Sequence, residues 1–270
     1  MAVPAVWLIT LGLASGALAG LLAGLIGIGG GVVVVPVVFY GLTLTGVSAD
    51  QAAHVAIATS LAAILPTAIV SFLGHWRAGN TDLRFLREWG PGIAVGVIAA
   101  QLTAPHLSGG LLTGVFALLS LTFAVRFGLP EYFRPVFAAP PDGAFRSAAA
   151  TGIGFFSGLA GVGGGILTNI VMTVSGMPMH KSIGRAAAAG IVVSLPATVV
   201  AALGPGPQGP TYLGGINIAI LACITPSQAA GAWLGARAAQ QLPANHLSRI
   251  MALSLFATGS TMLYSSFAGG

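Results

Sequence analysis

Two glycine runs have the types and spacing that point most directly to chemistry: Gly24-Leu25-Ile26-Gly27-Ile28-Gly29-Gly30-Gly31 and Gly158-Leu159-Ala160-Gly161-Val162-Gly163-Gly164-Gly165. Glycine tolerates positive φ and lets another group approach the backbone closely. In lipid, the irregular backbone that such runs produce survives only where protein buries it or where it lines a cavity. A broken helix exposes N–H groups at the positive end of its dipole, and that end suits an anion. Gly29, Gly30, Gly31, Gly163, Gly164 and Gly165 are therefore candidate anion-binding positions. Close helix packing is the competing role for the same residues.

Polar side chains inside apolar runs extend this set. Thr59 and Ser60 lie one to two turns before Leu65-Pro66, Ser194 lies beside the matching Leu195-Pro196, and Thr168 and Asn169 follow the second glycine run. Proline removes a backbone donor and frees a carbonyl. Hydroxyl and amide groups near such a break could solvate an anion without a full countercharge. Their alternative use is to bond their own helix backbone. His54 precedes Thr59-Ser60, and Arg185 precedes the corresponding second-half helix. Ionisable groups at membrane depth are costly and are usually functional, although Arg185 could also snorkel to an interface. Asp50, Gln51 and Lys181 read as residues that cap helices or line a vestibule.

Other chemistries lack their residues. There is no Walker A run, no kinase set, no HExxH and no convincing carboxylate pair. Five acidic residues, mostly in loops, do not supply the buried carboxylates that cation pumps and cation/proton antiporters typically need. No metal or cofactor site is expected, and no enzyme activity. The single Cys223 sits in an apolar stretch and reads as a packing residue.

The elements that must position these residues follow from composition. Of 270 residues, 56% are apolar and 6% charged, against about a quarter charged in a soluble domain. Fifteen charged side chains cannot build a soluble surface for a chain this long, so lipid must cover much of it. The net charge of +5 falls in short loops and gives no sign of nucleic-acid binding. Ala17-Leu18-Ala19 has a cleavage-like spacing, but no Lys or Arg occurs before Arg77. The segment is read as a retained membrane helix. Candidate membrane segments are Pro4–Ile26, Gly31–Leu44, Ala52–Leu73, Pro91–Ala104 and Gly110–Phe127. A proline-rich linker from Gly128 to Arg146 carries Pro130, Pro135, Pro140 and Pro141. The second set is Ser147–Ala160, Gly164–Gly176, Ile183–Leu203, Gly215–Leu234 and Ser248–Phe267. Several are too short to span alone, so re-entrant segments are an open alternative. This divides the chain into a repeat at 1–127, a cytoplasmic linker at 128–146 and a second repeat at 147–270.

The two sets match in order. Besides the glycine runs, Leu65-Pro66 pairs with Leu195-Pro196, Gly74 with Gly204, Pro91 and Gly96 with Pro226 and Gly231, and His106-Leu107-Ser108 with His246-Leu247-Ser248. Loop charge inverts between partners. Gly74–Gly90 carries Arg77, Arg84 and Arg87, whereas Gly204–Gly214 carries no charge. Gly46–Gln51 carries Asp50, whereas Gly176–Arg185 carries His180, Lys181 and Arg185. No Lys or Arg occurs in Ala104–Ser108, whereas Arg237 and Arg249 bracket its partner. That pattern is what two oppositely inserted halves produce, with both termini external. The fold class expected is an all-α polytopic membrane protein of two inverted repeats, about five hydrophobic segments each.

The duplicated G-x-x-G-x-G-G-G opening, the His54-x4-Thr59-Ser60 helix and the internal repeat resemble the sulfite exporter TauE/SafE family of membrane permeases. The resemblance covers most of both halves. It implies secondary transport of sulfur-containing anions such as sulfite, sulfoacetate or other organosulfonates, driven by an ion gradient, in a bacterial inner membrane. The second half departs from the pattern, with Ala189-Gly190 in place of Thr-Ser. Thiosulfate or a carboxylate as cargo stays open, as does a non-transporting membrane scaffold. The expected partners are a small anionic substrate and membrane lipid. The coupling ion, H+ or Na+, and the oligomeric state, with a homodimer among the options, also stay open.

Overall fold

The computed structural model describes residues 5–27, 29–81, 83–129, 137 and 139–268. Pro4, Ile28 of the first glycine run, and Pro130 and Pro135 of the linker lie outside the described residues.

One α-helix corresponds to each apolar segment. The first five are α1 (Ala5–Ile26), α2 (Gly31–Leu44), α3 (Ala49–Arg77), α4 (Leu83–Thr103) and α5 (Gly109–Gly128). The second five are α6 (Gly143–Ala160), α7 (Gly165–Val174), α8 (Met179–Leu203), α9 (Ile218–Ala239) and α10 (Ala244–Ala268). A 3-10 turn, Ala104–His106, links α4 to α5. A two-residue hairpin of β1 (Tyr212–Leu213) and β2 (Ile216–Asn217) precedes α9. Helices α3, α5, α8, α9 and α10 are long and apolar enough to cross a membrane. Their outer faces carry exposed Leu118, Val125, Leu253 and Phe256, which suits lipid contact. The chain is thus an all-α, multi-pass membrane protein.

The long helices pair through small residues. Gly16, Gly20 and Gly24 of α1 lie against the backbone of Ile224, Gln228 and Ala232 of α9, so the two helices run in the same direction. Gly154 and Gly158 of α6 lie against Ile93, Val97 and Ala100 of α4 in the same way. Small residues every fourth position let backbones approach, and close packing drives helix association in lipid. Helix α3 runs antiparallel to α8, with Ala68 beside Gly190 and Ala58 packed near Ala201. It runs parallel to α9, with Thr59 bonded to Asn217 and Gly74 beside Ala236. Helices α4 and α8 are parallel, with Gly90 near Val192 and Gly184 near Asn80. Helix α5 is antiparallel to α10, with Gly128 beside Ala252 and Gly259 beside Ser120. Each of α1, α3, α4 and α5 therefore runs opposite to the helix five places later.

At about 1.5 Å per residue, the 14 residues of α2 and 10 of α7 fall short of the roughly 30 Å hydrocarbon core. Each runs back from a glycine turn, antiparallel to the helix before it. Helix α1 descends and α2 returns, while α6 and α7 do the same from the opposite side.

Helix directions also sort the charges. Arg77, Arg84, Arg87, Arg126, Arg146, Lys181, Arg185, Arg237 and Arg249 all lie where α3, α5 and α9 end and where α4, α6, α8 and α10 begin. Every Lys and Arg among the described residues is on this one basic face.

Candidate functional site

The two hairpin turns have the same backbone. Gly27, Gly29 and Gly30 adopt φ of 69°, 78° and 78°, and Gly161, Gly163 and Gly164 adopt 70°, 68° and 78°. These left-handed values end one helix and start the next within four residues, and only glycine enters that region without strain. The tips meet at the centre of the protein. A methyl group on Gly29 would lie 3.1 Å from Ile64 Cγ2, and one on Gly163 would lie 2.9 Å from the same atom. One on Gly31 would strike the carbonyl oxygen of Gly161. The glycine runs therefore pack on each other around Ile64 of α3.

A helix that stops inside the protein leaves its last carbonyls without intrahelical partners. Side chains from other helices supply donors here. At the end of α1, His75 Nε2 donates to Gly24 O (3.0 Å), Ser71 Oγ to Ala23 O (3.4 Å) and Asn169 Nδ2 to Ile26 O (2.9 Å). At the end of α6, Gln101 Nε2 donates to Gly158 O and Ser60 Oγ to Gly161 O, both at 3.0 Å. Asn169 is held in turn by Ser182, whose hydroxyl donates to its Oδ1 at 2.6 Å. Thr59 Oγ1 accepts from Asn217 N at 3.0 Å and fixes the β hairpin to α3. Ser194 donates to Gly190 O of its own helix.

The opposite ends of the breaks are less well satisfied. Helices α2 and α7 begin at Gly31 and Gly165, capped by Gly30 and Gly164, and neither N-terminus has a side-chain cap. Three fully buried polar atoms nearby have no hydrogen-bond partner. They are Thr168 Oγ1 near the start of α7, Ser157 Oγ in the last turn of α6, and Gln228 Oε1. Gln228 Nε2 reaches Gly29 O at 3.4 Å, so this amide sits against the entry to α2.

A cavity of about 390 Å³ lies between α3, α4, α5 and α8, at the ends of these helices away from the basic face. His54, Ile57, Gln101, Ala104, Ala201 and Pro205 are among its walls. Ile57 Cα would lie 3.2 Å from a methyl on Gly161, so the cavity wall abuts the second glycine turn. His54 places Nδ1 2.8 Å from Asp50 O and Nε2 3.1 Å from Ala104 O. Carbonyl oxygens only accept, so the doubly protonated ring donates to both and the neutral ring to one. Asp50 Oδ1 accepts from Gly109 N at 2.6 Å and so caps α5, while Ser48 caps α3 through Gln51 N.

Arg185 is elsewhere. Its guanidinium approaches Met172 Sδ at 3.6 Å and lies 5.7 Å from the Phe85 ring centroid, at the basic face. Of the positions proposed from sequence, the six glycines, Ser60, Thr168 and Asn169 lie at the central crossing, Thr59 holds the β hairpin, and His54 lines the cavity. Arg185 lies on the far side of the crossing. Gln101, Gln228 and His75 went unnoticed in the sequence. The signal available was an amide or imidazole within a long apolar run.

The sequence profile of the sulfite exporter TauE/SafE family matches residues 12–262. The chain belongs to the TauE/SafE family. Three curated relatives are similar to this TauE/SafE chain along much of its length. A probable membrane transporter protein of Haemophilus influenzae is 31% identical, covering 92% of this chain and 95% of that protein. Another, from Bacillus subtilis, is 30% identical over 56% of this chain and 62% of that protein. A third, from Methanocaldococcus jannaschii, is 22% identical over 92% of each. No solved structure matches the TauE/SafE chain.

Proposed function

We propose that this chain is a secondary transporter for small sulfur-containing anions, such as sulfite, sulfoacetate or other organosulfonates, and not an enzyme. The observation that carries this is the pair of uncapped helix N-termini buried at the glycine crossing, whose second turn abuts the cavity wall at Ile57. Oriented N–H groups with a partial positive charge bind oxyanions without a fixed countercharge, and transporters place such half-helix ends at the substrate. The Thr168 hydroxyl lies in the first turn of α7 and the Gln228 amide against the entry to α2, one polar group at each N-terminus, and His54 adds a hydrogen-bonding ring at the cavity wall. The family's sulfite exporter description and the transporter names of the relatives support this class of cargo.

Two inverted repeats, at 1–127 and 147–270, would supply the moving parts. The matched turn geometry and the reversed helix directions support that division. The basic face is then cytoplasmic by the positive-inside rule, in a bacterial inner membrane. The cavity is outward-open, and transport follows by alternating access. Partners are the anion, lipid, a coupling ion and, as one option, a second copy of the chain.

The test is flux of sulfite, sulfoacetate and sulfate in proteoliposomes holding folded protein. Saturable uptake of sulfite or a sulfonate is expected. Absence of any saturable anion flux overturns the proposal.

A further inference from the structure

Aligning Leu65-Pro66 with Leu195-Pro196 places Ser71, Gly74 and His75 of α3 opposite Ala201, Gly204 and Pro205, the last two just after the end of α8. The second set lines the open cavity. The first set is shut. Ser71 and His75 are 2% and 1% exposed, and Gly74 is pressed on Ala236. At the same level, Gly184 of α8 is pressed against Asn80 and Thr81. Where one side of the molecule has a cavity and Pro205, the other has a closed contact with His75 inside it.

His75 has an unusual pair of environments. Nε2 faces Gly24 O, so it must carry the hydrogen. Nδ1 is buried with no hydrogen-bond partner. A proton arriving at Nδ1 would create a buried cation whose new N–H has no acceptor, and such a group is strongly disfavoured. Among the described residues its neighbours offer no compensation. Helix α1 has no ionisable side chain. Helix α8 carries His180, Lys181 and Arg185 and no acidic side chain. On α9, the Arg237 guanidinium lies 3.7 Å from the Trp233 ring centroid, and on its own helix Arg77 is exposed. Between the end of α3 and the start of α4 Asp82 alone is acidic, and it lies outside the described residues.

Building on the transport function proposed above, we infer that His75 is a proton-binding site on the basic-side gate. The closed contact holds the neutral ring, and proton uptake from that side drives the contact open. The bond to Gly24 O ties this event to the end of α1, and hence to the first glycine turn.

The test uses the full chain in inside-out vesicles, with Cys223→Ala as background and Thr81→Cys as reporter. Labelling by a membrane-impermeant maleimide is divided by that of the exposed reference Ala78→Cys, which removes the intrinsic pH dependence of thiol reactivity. Between pH of about 7.5 and about 5.5 an ordinary imidazole goes from mostly neutral to mostly charged, and the ratio should rise by about fivefold or more. His75→Gln keeps a donor for Gly24 O but cannot take the proton, and its ratio should stay flat. His180→Gln should leave the rise intact. A flat ratio with His75 present, or an equal rise in His75→Gln, overturns the inference. Sulfite flux in the same vesicles reads transport separately. Flux with a flat ratio refutes only the His75 site, and a His75-dependent rise without flux refutes the cargo but not the site.

Discussion

Substituting Gly163 by alanine tests the claim that the glycine turns hold the centre together by contact as well as by conformation. Two costs are separable. The first is backbone: φ is +68°, and an alanine in the left-handed region costs about 1–2 kcal/mol. The second is steric: the methyl would lie 2.9 Å from Ile64 Cγ2 and 3.0 Å from Cδ1, and overfilling a packed core typically costs about 1–3 kcal/mol. The sum is roughly 2–5 kcal/mol. Gly46 isolates the first cost, because its φ is +90° and nothing lies within 4 Å of an added methyl. Gly46→Ala should therefore lose only about 1–2 kcal/mol. Ile64→Ala empties a fully buried site at about 2–5 kcal/mol. In the double variant the alanine methyl of residue 163 enters that space, so Gly163→Ala and Ile64→Ala should couple favourably by about 1–3 kcal/mol. Gly46→Ala and Ile64→Ala should add within about 0.5 kcal/mol. Denaturant unfolding in mixed micelles, followed by tryptophan fluorescence, gives all the terms. A Gly163→Ala cost no larger than that of Gly46→Ala, or zero coupling to Ile64, would refute the interlocked-tip account.

Two further outcomes are expected. Asn169→Ala strips Ile26 O of its donor, and the loss should be about 1–2 kcal/mol, above the average of roughly 0.6 for interhelical bonds in membranes because a helix end is left unsatisfied. Thermal unfolding in detergent checks this, and unchanged stability with abolished flux would mean that Asn169 serves the cargo instead. His54→Ala removes the ring that reaches Asp50 O and Ala104 O at the cavity wall, and the loss of about 1 kcal/mol per hydrogen bond should appear as about a fivefold rise in apparent KM. His54→Gln, which keeps a side-chain donor, should restore part of the loss, and an unchanged KM in His54→Ala would remove His54 from the cargo path.

Much of this architecture was legible because lipid punishes irregular backbone. A break at Gly27–Gly31 or Gly161–Gly165 is visible in sequence since only glycine fills the positive-φ positions, and loop arginines mark one face whatever the helices do. The use of the polar residues was not legible. Ser60 and Asn169 read as anion ligands because hydroxyl and amide groups beside a helix break suit that role. In the structure each donates to the carbonyl end of a helix from the other half, a pairing 101 and 143 residues apart in sequence. No local pattern encodes which carbonyls will need donors. Gln228 and Gln101 were missed for the same reason, since each is a lone amide whose partner is set by the crossing of two hairpins. Arg185 was legible as a basic-face residue, and the inverted loop charges already set it on the opposite side from His54; grouping the two as partners of one anion overlooked that consequence.

The long-range bond from Asn169 to Ile26 also bears on how the protein is made. At about 5–20 residues per second, the ribosome needs roughly 7–30 s to go from one residue to the other. In the later part of that interval α1 and α2 have left the exit tunnel, while the donor for Ile26 O has not been synthesised. The α1/α2 hairpin thus enters the bilayer as an open-ended piece, and the later α6/α7 hairpin closes it. A chaperone or the insertion machinery must shelter the early hairpin, and chains truncated before residue 169 should be substrates for membrane quality-control proteases.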